Sequence, residues 1–196
     1  MRPSRQLCGL FLALSLVCGG AAHAEDARDK PQSPPAASAD EIFGEEIVLP
    51  ERTLLMRRTR TSWEDAWTSI VDAFKALRAD ADRLGVKVNG NPLVIYRSTA
   101  DDSFEFDAAL PIEAAPASPP PADGDLHVGP ARSGKALKFV YRGAFDAMDS
   151  TYELISNYID TKKINAEDLS IEEYVSDPAT AKPTDISINI YMPLKP

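Results

Sequence analysis

Residues able to carry covalent or metal chemistry are scarce in this chain of 196 residues. Its two cysteines, Cys8 and Cys18, lie within a stretch that reads as a secretory signal peptide, residues 1–24. Arg2 and Arg5 supply the positive start, Leu7–Val17 the apolar run, and Ala22-His23-Ala24 the small residues that a signal peptidase reads. Val17 is too bulky for Cys18 to serve as a lipoprotein site. Cleavage before Glu25 would leave no thiol, hence no cysteine nucleophile, thiolate zinc site or disulfide. His127 would be the only histidine left, in a Pro- and Gly-containing stretch that reads as exposed loop. No metal or other cofactor is expected.

What remains is acid, amide and aromatic chemistry at regular spacing. Glu172 and Tyr174 stand two residues apart, as do Asn189 and Tyr191, and Glu105 and Asp107. On a strand, each pair shares a face. Trp63 and Trp67 are one helical turn apart, a spacing that favours packing over ligand stacking, and Tyr141 reads the same way. The charge balance excludes one class of partner. Without its first 24 residues the chain has 19 basic and 30 acidic side chains, a net charge of −11, which repels phosphate backbones. No nucleic-acid partner is expected. Arg52, Arg57, Arg58 and Arg60 form a basic stretch, read as solvent-facing strand residues.

These side chains need a scaffold. Residues 25–43 are rich in Pro, Ala, Ser and charge, and read as a disordered leader that cannot bury enough surface to offset ordering entropy. A domain is expected over 44–196, interrupted by a Pro-rich loop at 113–129. No apolar run after the signal peptide reaches membrane-spanning length. Within the domain, Ile47–Met56 reads as a strand broken at Pro50. Thr61-Ser62-Trp63-Glu64 reads as a capping box, followed at helical spacing by Trp63, Trp67, Ile70, Val71, Phe74, Leu77 and Leu84, with Gly85 as the stop. Strands are expected at Leu93–Arg97 and Ser103–Ile112.

The order then recurs. Ala136–Arg142 is a strand, Gly143 turns into a helix with Met148, Tyr152, Ile155 and Ile159 on one face, and strands follow at Ile171–Ser176 and Ile186–Leu194. Leu110-Pro111-Ile112 matches Met192-Pro193-Leu194, and Val94-Ile95-Tyr96 resembles Glu172-Glu173-Tyr174. The fold class expected is therefore α+β: a duplicated β-α-β-β unit with pseudo-twofold symmetry, whose antiparallel sheets form a groove at the seam.

Residues 134–145, Glu172-Glu173-Tyr174-Val175-Ser176-Asp177-Pro178 and Ile188-Asn189-Ile190-Tyr191-Met192-Pro193-Leu194 resemble, in order and spacing, the strands of GyrI-like effector-binding domains. The likeness extends over roughly 45–196. It implies a two-repeat α+β fold, shared with SOUL proteins, that holds small organic molecules. In multidrug sensors of that family a buried glutamate attracts aromatic cations, and the matching residue is Glu172. The resemblance thus implies a ligand site of Glu172, Tyr174, Asn189, Tyr191, Trp67, Tyr141 and Asp107. Asn189 departs from the family, whose usual residue there is glutamate; Asp107 is its counterpart in the first repeat.

Three functions stay open at this point. One is an exported, periplasmic or secreted protein that binds an apolar or cationic ligand without catalysis. Another is a hydrolase of strained electrophilic toxins with Glu172 as general base. The last is a non-catalytic interaction protein with an envelope partner.

Overall fold

The computed structural model describes residues 44–196; the expected signal peptide and leader lie outside them. Helix α1 (Ala66–Leu84) forms where the apolar residues recur every three to four positions, and it buries Ile70, Phe74 and Leu77 completely. Each such side chain contributes about 1.5–3 kcal/mol of transfer free energy. Gly85 ends the helix in the left-handed conformation (φ 65°), returning N–H bonds to Ala81 and Asp82. Trp63 is not part of the helical stripe. It precedes the helix, 42% exposed, with its ring 4.3 Å from Phe104 and its Nε1 donating to the Ala100 carbonyl. The reciprocal pair at the helix entrance is Ser62 and Asp65 and not the expected Thr61 and Glu64: Ser62 Oγ donates to Asp65 Oδ2 and accepts the Asp65 N–H.

Among the described residues, eight strands form one antiparallel sheet. They are β1 (Glu45–Leu49), β2 (Thr53–Ser62), β3 (Leu93–Thr99), β4 (Ser103–Ile112), β5 (Leu126–Pro130), β6 (Gly134–Gly143), β7 (Ile171–Tyr174) and β8 (Ile186–Pro193). The second helix, α2 (Met148–Lys162), follows a short 3-10 turn at Phe145–Ala147. The strand order, β1-β6-β8-β7-β3-β4-β2-β5, is a palindrome under exchange of the two halves of the chain. Its centre is the β3–β7 pair, where Val94 faces Glu172, flanked by Leu93 with Glu173 and Ile95 with Ile171. The repeat correspondence of Val94-Ile95-Tyr96 with Glu172-Glu173-Tyr174 is therefore the symmetry of the sheet itself. The first strand of each half crosses over: β1 pairs with β6 and β5 with β2.

That crossover bends the sheet. Six strand spacings separate β1 from β2, about 29 Å on a flat sheet. Four Cα steps from Leu49 to Thr53 reach at most about 15 Å. The sheet must curl until its ends approach each other. The related link, between β5 and β6, bonds to this one through Ala131 N–H and the Arg52 carbonyl (2.8 Å).

The two faces carry separate apolar clusters. Both helices pack on one, with Leu55, Val94, Phe104, Phe106, Tyr174 and Ile188 of the strands among its buried residues. The other buries Leu54, Met56, Leu93, Ile95, Ala109 and Ile171 beneath Leu49 at the end of β1 and Ala131 of the β5–β6 link. Three expectations are corrected here. The Pro-rich loop ends earlier than expected, because Leu126–Pro130 pairs with β2 as strand β5. His127 lies in that strand opposite Met56 and is buried, not exposed. Arg57 is half-buried and pairs with Asp80, so it is not solvent-facing as expected, whereas Arg58 and Arg60 are exposed, Arg58 reaching Asp107 from the surface.

Candidate functional site

Glu172 sits at the symmetry centre of the sheet, on the helix-covered face, with no exposure to solvent. A carboxylate in such a place needs hydrogen bonds. It receives three, all from phenols. Tyr152 of α2 donates to Oε1 at 2.7 Å, Tyr96 of β3 to the same oxygen at 3.1 Å, and Tyr174 to Oε2 at 2.9 Å. Tyr96 and Tyr174 are repeat partners, so the pseudo-twofold brings both rings to the one acid on its axis. Among the described residues no basic side chain lies within salt-bridge distance of Glu172.

The electrostatics follow from that arrangement. Burial pushes the Glu172 carboxyl above its ordinary pKa, and the three phenol bonds pull back only part of the rise. The phenols of Tyr96, Tyr152 and Tyr174 are all driven well above the ordinary tyrosine value, by burial first and then by the nearby Glu172 charge. They remain protonated donors.

Aromatic rings surround the acid. Phe74 meets the Tyr174 ring edge-on at 5.7 Å, Tyr96 lies 5.5 Å from Phe104, and Phe104 stacks on Trp63. Tyr174 is fully buried, whereas Tyr96, Tyr152 and Trp67 each keep some exposure.

The seven residues expected at one site do not converge. Glu172 and Tyr174 do meet. Trp67 lies on the same side of the sheet, against Phe145 at 5.2 Å. Tyr141 is also on that side, but its hydroxyl is spent on the Ala144 carbonyl. Asn189, Tyr191 and Asp107 face the other way. The register sets Glu172 opposite Ile190, so Asn189 falls beside Glu173. Asn189 Nδ2 (2.9 Å) and Tyr191 Oη (2.6 Å) both donate to Glu173 Oε2. Burial would raise the Glu173 carboxyl, but these two bonds, with Arg52 and Asn91 nearby, hold it below the ordinary value. Asp107 is fully buried and ion-paired to Arg97 (2.6 Å), with Arg58 at 3.4 Å. Its charge is already matched within the protein.

Tyr96 and Tyr152 are the residues that sequence reasoning missed. The signal for Tyr96 lay in the repeat, where it is the counterpart of Tyr174. Tyr152 was visible as the one polar-tipped residue among Met148, Ile155 and Ile159. Among the described residues no cluster of His, Cys, Asp and Glu could hold a metal, and no helix is long and apolar enough to cross a membrane.

Solved structures share this architecture. The C-terminal domain of EcmrR superposes with a TM-score of 0.65 at 9% identity, covering 79% of this chain and 98% of that one. Against the longer EcmrR chain of a DNA complex, this chain spans only 57% of the length. A hydrolase from Listeria innocua gives 0.51 at 15% identity over 78% and 91% of the two chains. A protein solved bound to tetraphenylphosphonium gives 0.51 at 18% identity over 78% and 94%. At such identities the likeness is one of fold. No curated protein matches the chain. The family model described as the GyrI-like small molecule binding domain matches residues 45–195.

Proposed function

Since the chain belongs to the GyrI-like small molecule binding domains, we propose that it binds an aromatic, lipophilic cation at Glu172 and performs no chemistry on it. One observation carries the reading: a fully buried acid whose partners are three phenols and no protein cation. A flat cation entering beside Tyr96 and Tyr152 would give the carboxylate its counter-charge and stack its apolar surface on the surrounding rings. An uncharged molecule of the same shape would leave the acid as it is. The binding reading is favoured over hydrolysis because the phenols already occupy three of the roughly four lone-pair positions of the carboxylate, which leaves little room for an attacking water.

The site would act outside the cytoplasm, a reading supported by the signal-peptide pattern of residues 1–24. Fractionation of cells expressing the full chain, with the N-terminus of the recovered protein read by mass spectrometry, tests this; recovery of a cytoplasmic chain beginning at Met1 would refute it. For the ligand, thermal-shift measurements with tetraphenylphosphonium and an uncharged aromatic of matched size should show stabilisation by the cation alone. Equal shifts from both would remove Glu172 from the explanation.

A further inference from the structure

The pseudo-twofold that centres the sheet on Glu172 also runs through the helix layer. Val94 and Glu172 are 78 residues apart, and so are Gly85 and Lys163, the left-handed C-caps of α1 and α2. The same interval maps Phe74, packed on Tyr174, onto Tyr152, which shares Glu172 Oε1 with Tyr96. It also maps Trp67, in the first turn of α1, onto Phe145, in the 3-10 turn before α2. These two mates touch, their ring centroids 5.2 Å apart. Mates in contact must straddle the axis that relates them. The Val94–Glu172 pair straddles it as well. Both rings pack on the helix-side core, so they stand over the acid, in line with it along the axis.

Three features separate this pair from ordinary core. Both rings are half-buried, whereas Phe74, Phe104 and Phe106 are enclosed. Their planes are inclined at 53°, neither stacked nor edge-on, so the ring faces are not matched to each other. The Trp67 indole N–H has no acceptor among the described residues, whereas that of Trp63 is fixed by the Ala100 carbonyl. Phe145 is positioned through its backbone, its N–H donating to the Pro183 carbonyl at 2.7 Å. Pro183 belongs to the link between β7 and β8, which continues the strand of Glu172 and is tied to α1 by the Arg78–Asp177 ion pair (3.0 Å).

We propose that Trp67 and Phe145 form an aromatic roof over Glu172, which parts to admit the cation beside Tyr96 and Tyr152 and then turns its ring faces to the charge, opposite the carboxylate. The assignment rests on the cation reading of Glu172 and deepens it, because it makes Phe145 a ligand-binding residue. The cation is then held from both sides, by a carboxylate below and by two ring faces above.

The chain has two tryptophans, so Trp63→Phe leaves Trp67 as the sole indole reporter. Tetraphenylphosphonium titrated into that variant should change the Trp67 emission saturably, with the Kd that calorimetry gives for the same protein. Phe145→Leu keeps an apolar side chain at the helix entrance and removes the ring face. It should weaken binding about tenfold, the scale of a desolvated cation–π contact. Trp67→Leu, read by calorimetry, should do the same and serves if Phe145→Leu melts markedly lower. Trp67 emission that stays constant through calorimetric saturation, or both leucine variants binding as tightly as the wild type, would overturn the roof. If Glu172→Gln still weakens binding in that case, the cation site stands without it. No saturable binding to the wild type, or equal affinity in Glu172→Gln, would overturn the cation reading and the roof together.

Discussion

Replacing Glu172 by Gln keeps the size of the side chain and removes only its ability to become charged. The amide oxygen can still accept from Tyr96 and Tyr152, and the amide nitrogen can donate to Tyr174, so packing and hydrogen bonding survive. The difference in stability between wild type and variant therefore isolates the titration of one buried acid. Burial raises the folded-state pKa of Glu172 above its unfolded value, so the folded protein holds this proton more tightly than the unfolded chain does. The associated stability is fully present below the ordinary glutamate pKa of about 4.3 and is lost as pH rises through the folded value. Over that window the wild type should lose up to about 1.4 kcal/mol per pH unit relative to Glu172→Gln, the slope for one proton. Asp80, Glu173 and Asp177, whose pKa values are lowered, tilt stability the opposite way at low pH. They do so equally in both proteins and cancel in the difference. Urea denaturation of the pair at half-unit steps from pH 4 to pH 9 measures it. The variant should match or exceed the wild type near neutrality. A difference that stays constant across the whole range would show that Glu172 does not titrate as a buried, cation-free acid.

Tyr152→Phe removes a bond that favours the charged form of Glu172, so the stability loss should begin at the same pH but extend to higher pH, read by the same paired denaturation; an upper limit that stays put would contradict the bond's role. Gly85→Ala forces an alanine to φ 65° with nothing within 4 Å of the new methyl group, a backbone cost of about 1–2 kcal/mol. Lys163 holds the corresponding C-cap of α2 at φ 54°, so Lys163→Gly should stabilise by up to about 1 kcal/mol; opposite signs for the pair in thermal melts are the check. Arg97→Ala takes the 2.6 Å partner from fully buried Asp107 and should cost about 1.5–3 kcal/mol, whereas a change under 0.5 kcal/mol would mean that Arg58 carries the charge alone.

Much of this was legible along the chain and some of it could not be. Ser103–Ile112 and the helix ending at Gly85 stand where composition and period place them, because each is settled by local spacing. The repeat of Val94-Ile95-Tyr96 in Glu172-Glu173-Tyr174 pointed to the symmetry axis before any coordinates. Alternation also told which residues of one strand share a face. It could not tell how the faces of two strands align, since that depends on register. One residue of slip would have put Asn189 and Tyr191 beside Glu172; the actual pairing puts them beside Glu173. Strand β5 escaped notice for a related reason. Leu126–Pro130 has turn-like Gly and Pro and becomes a strand only because β2 offers it a partner across the crossover.

The central claim is that the buried, phenol-capped Glu172 is what a cationic ligand pairs with. Calorimetric titration of tetraphenylphosphonium into wild type and Glu172→Gln at pH 8 tests it most directly. Removing one member of a desolvated charge pair costs about 3–5 kcal/mol, so the variant should bind roughly two to four orders of magnitude more weakly while melting no lower than the wild type. Equal affinity in the two proteins would contradict the account.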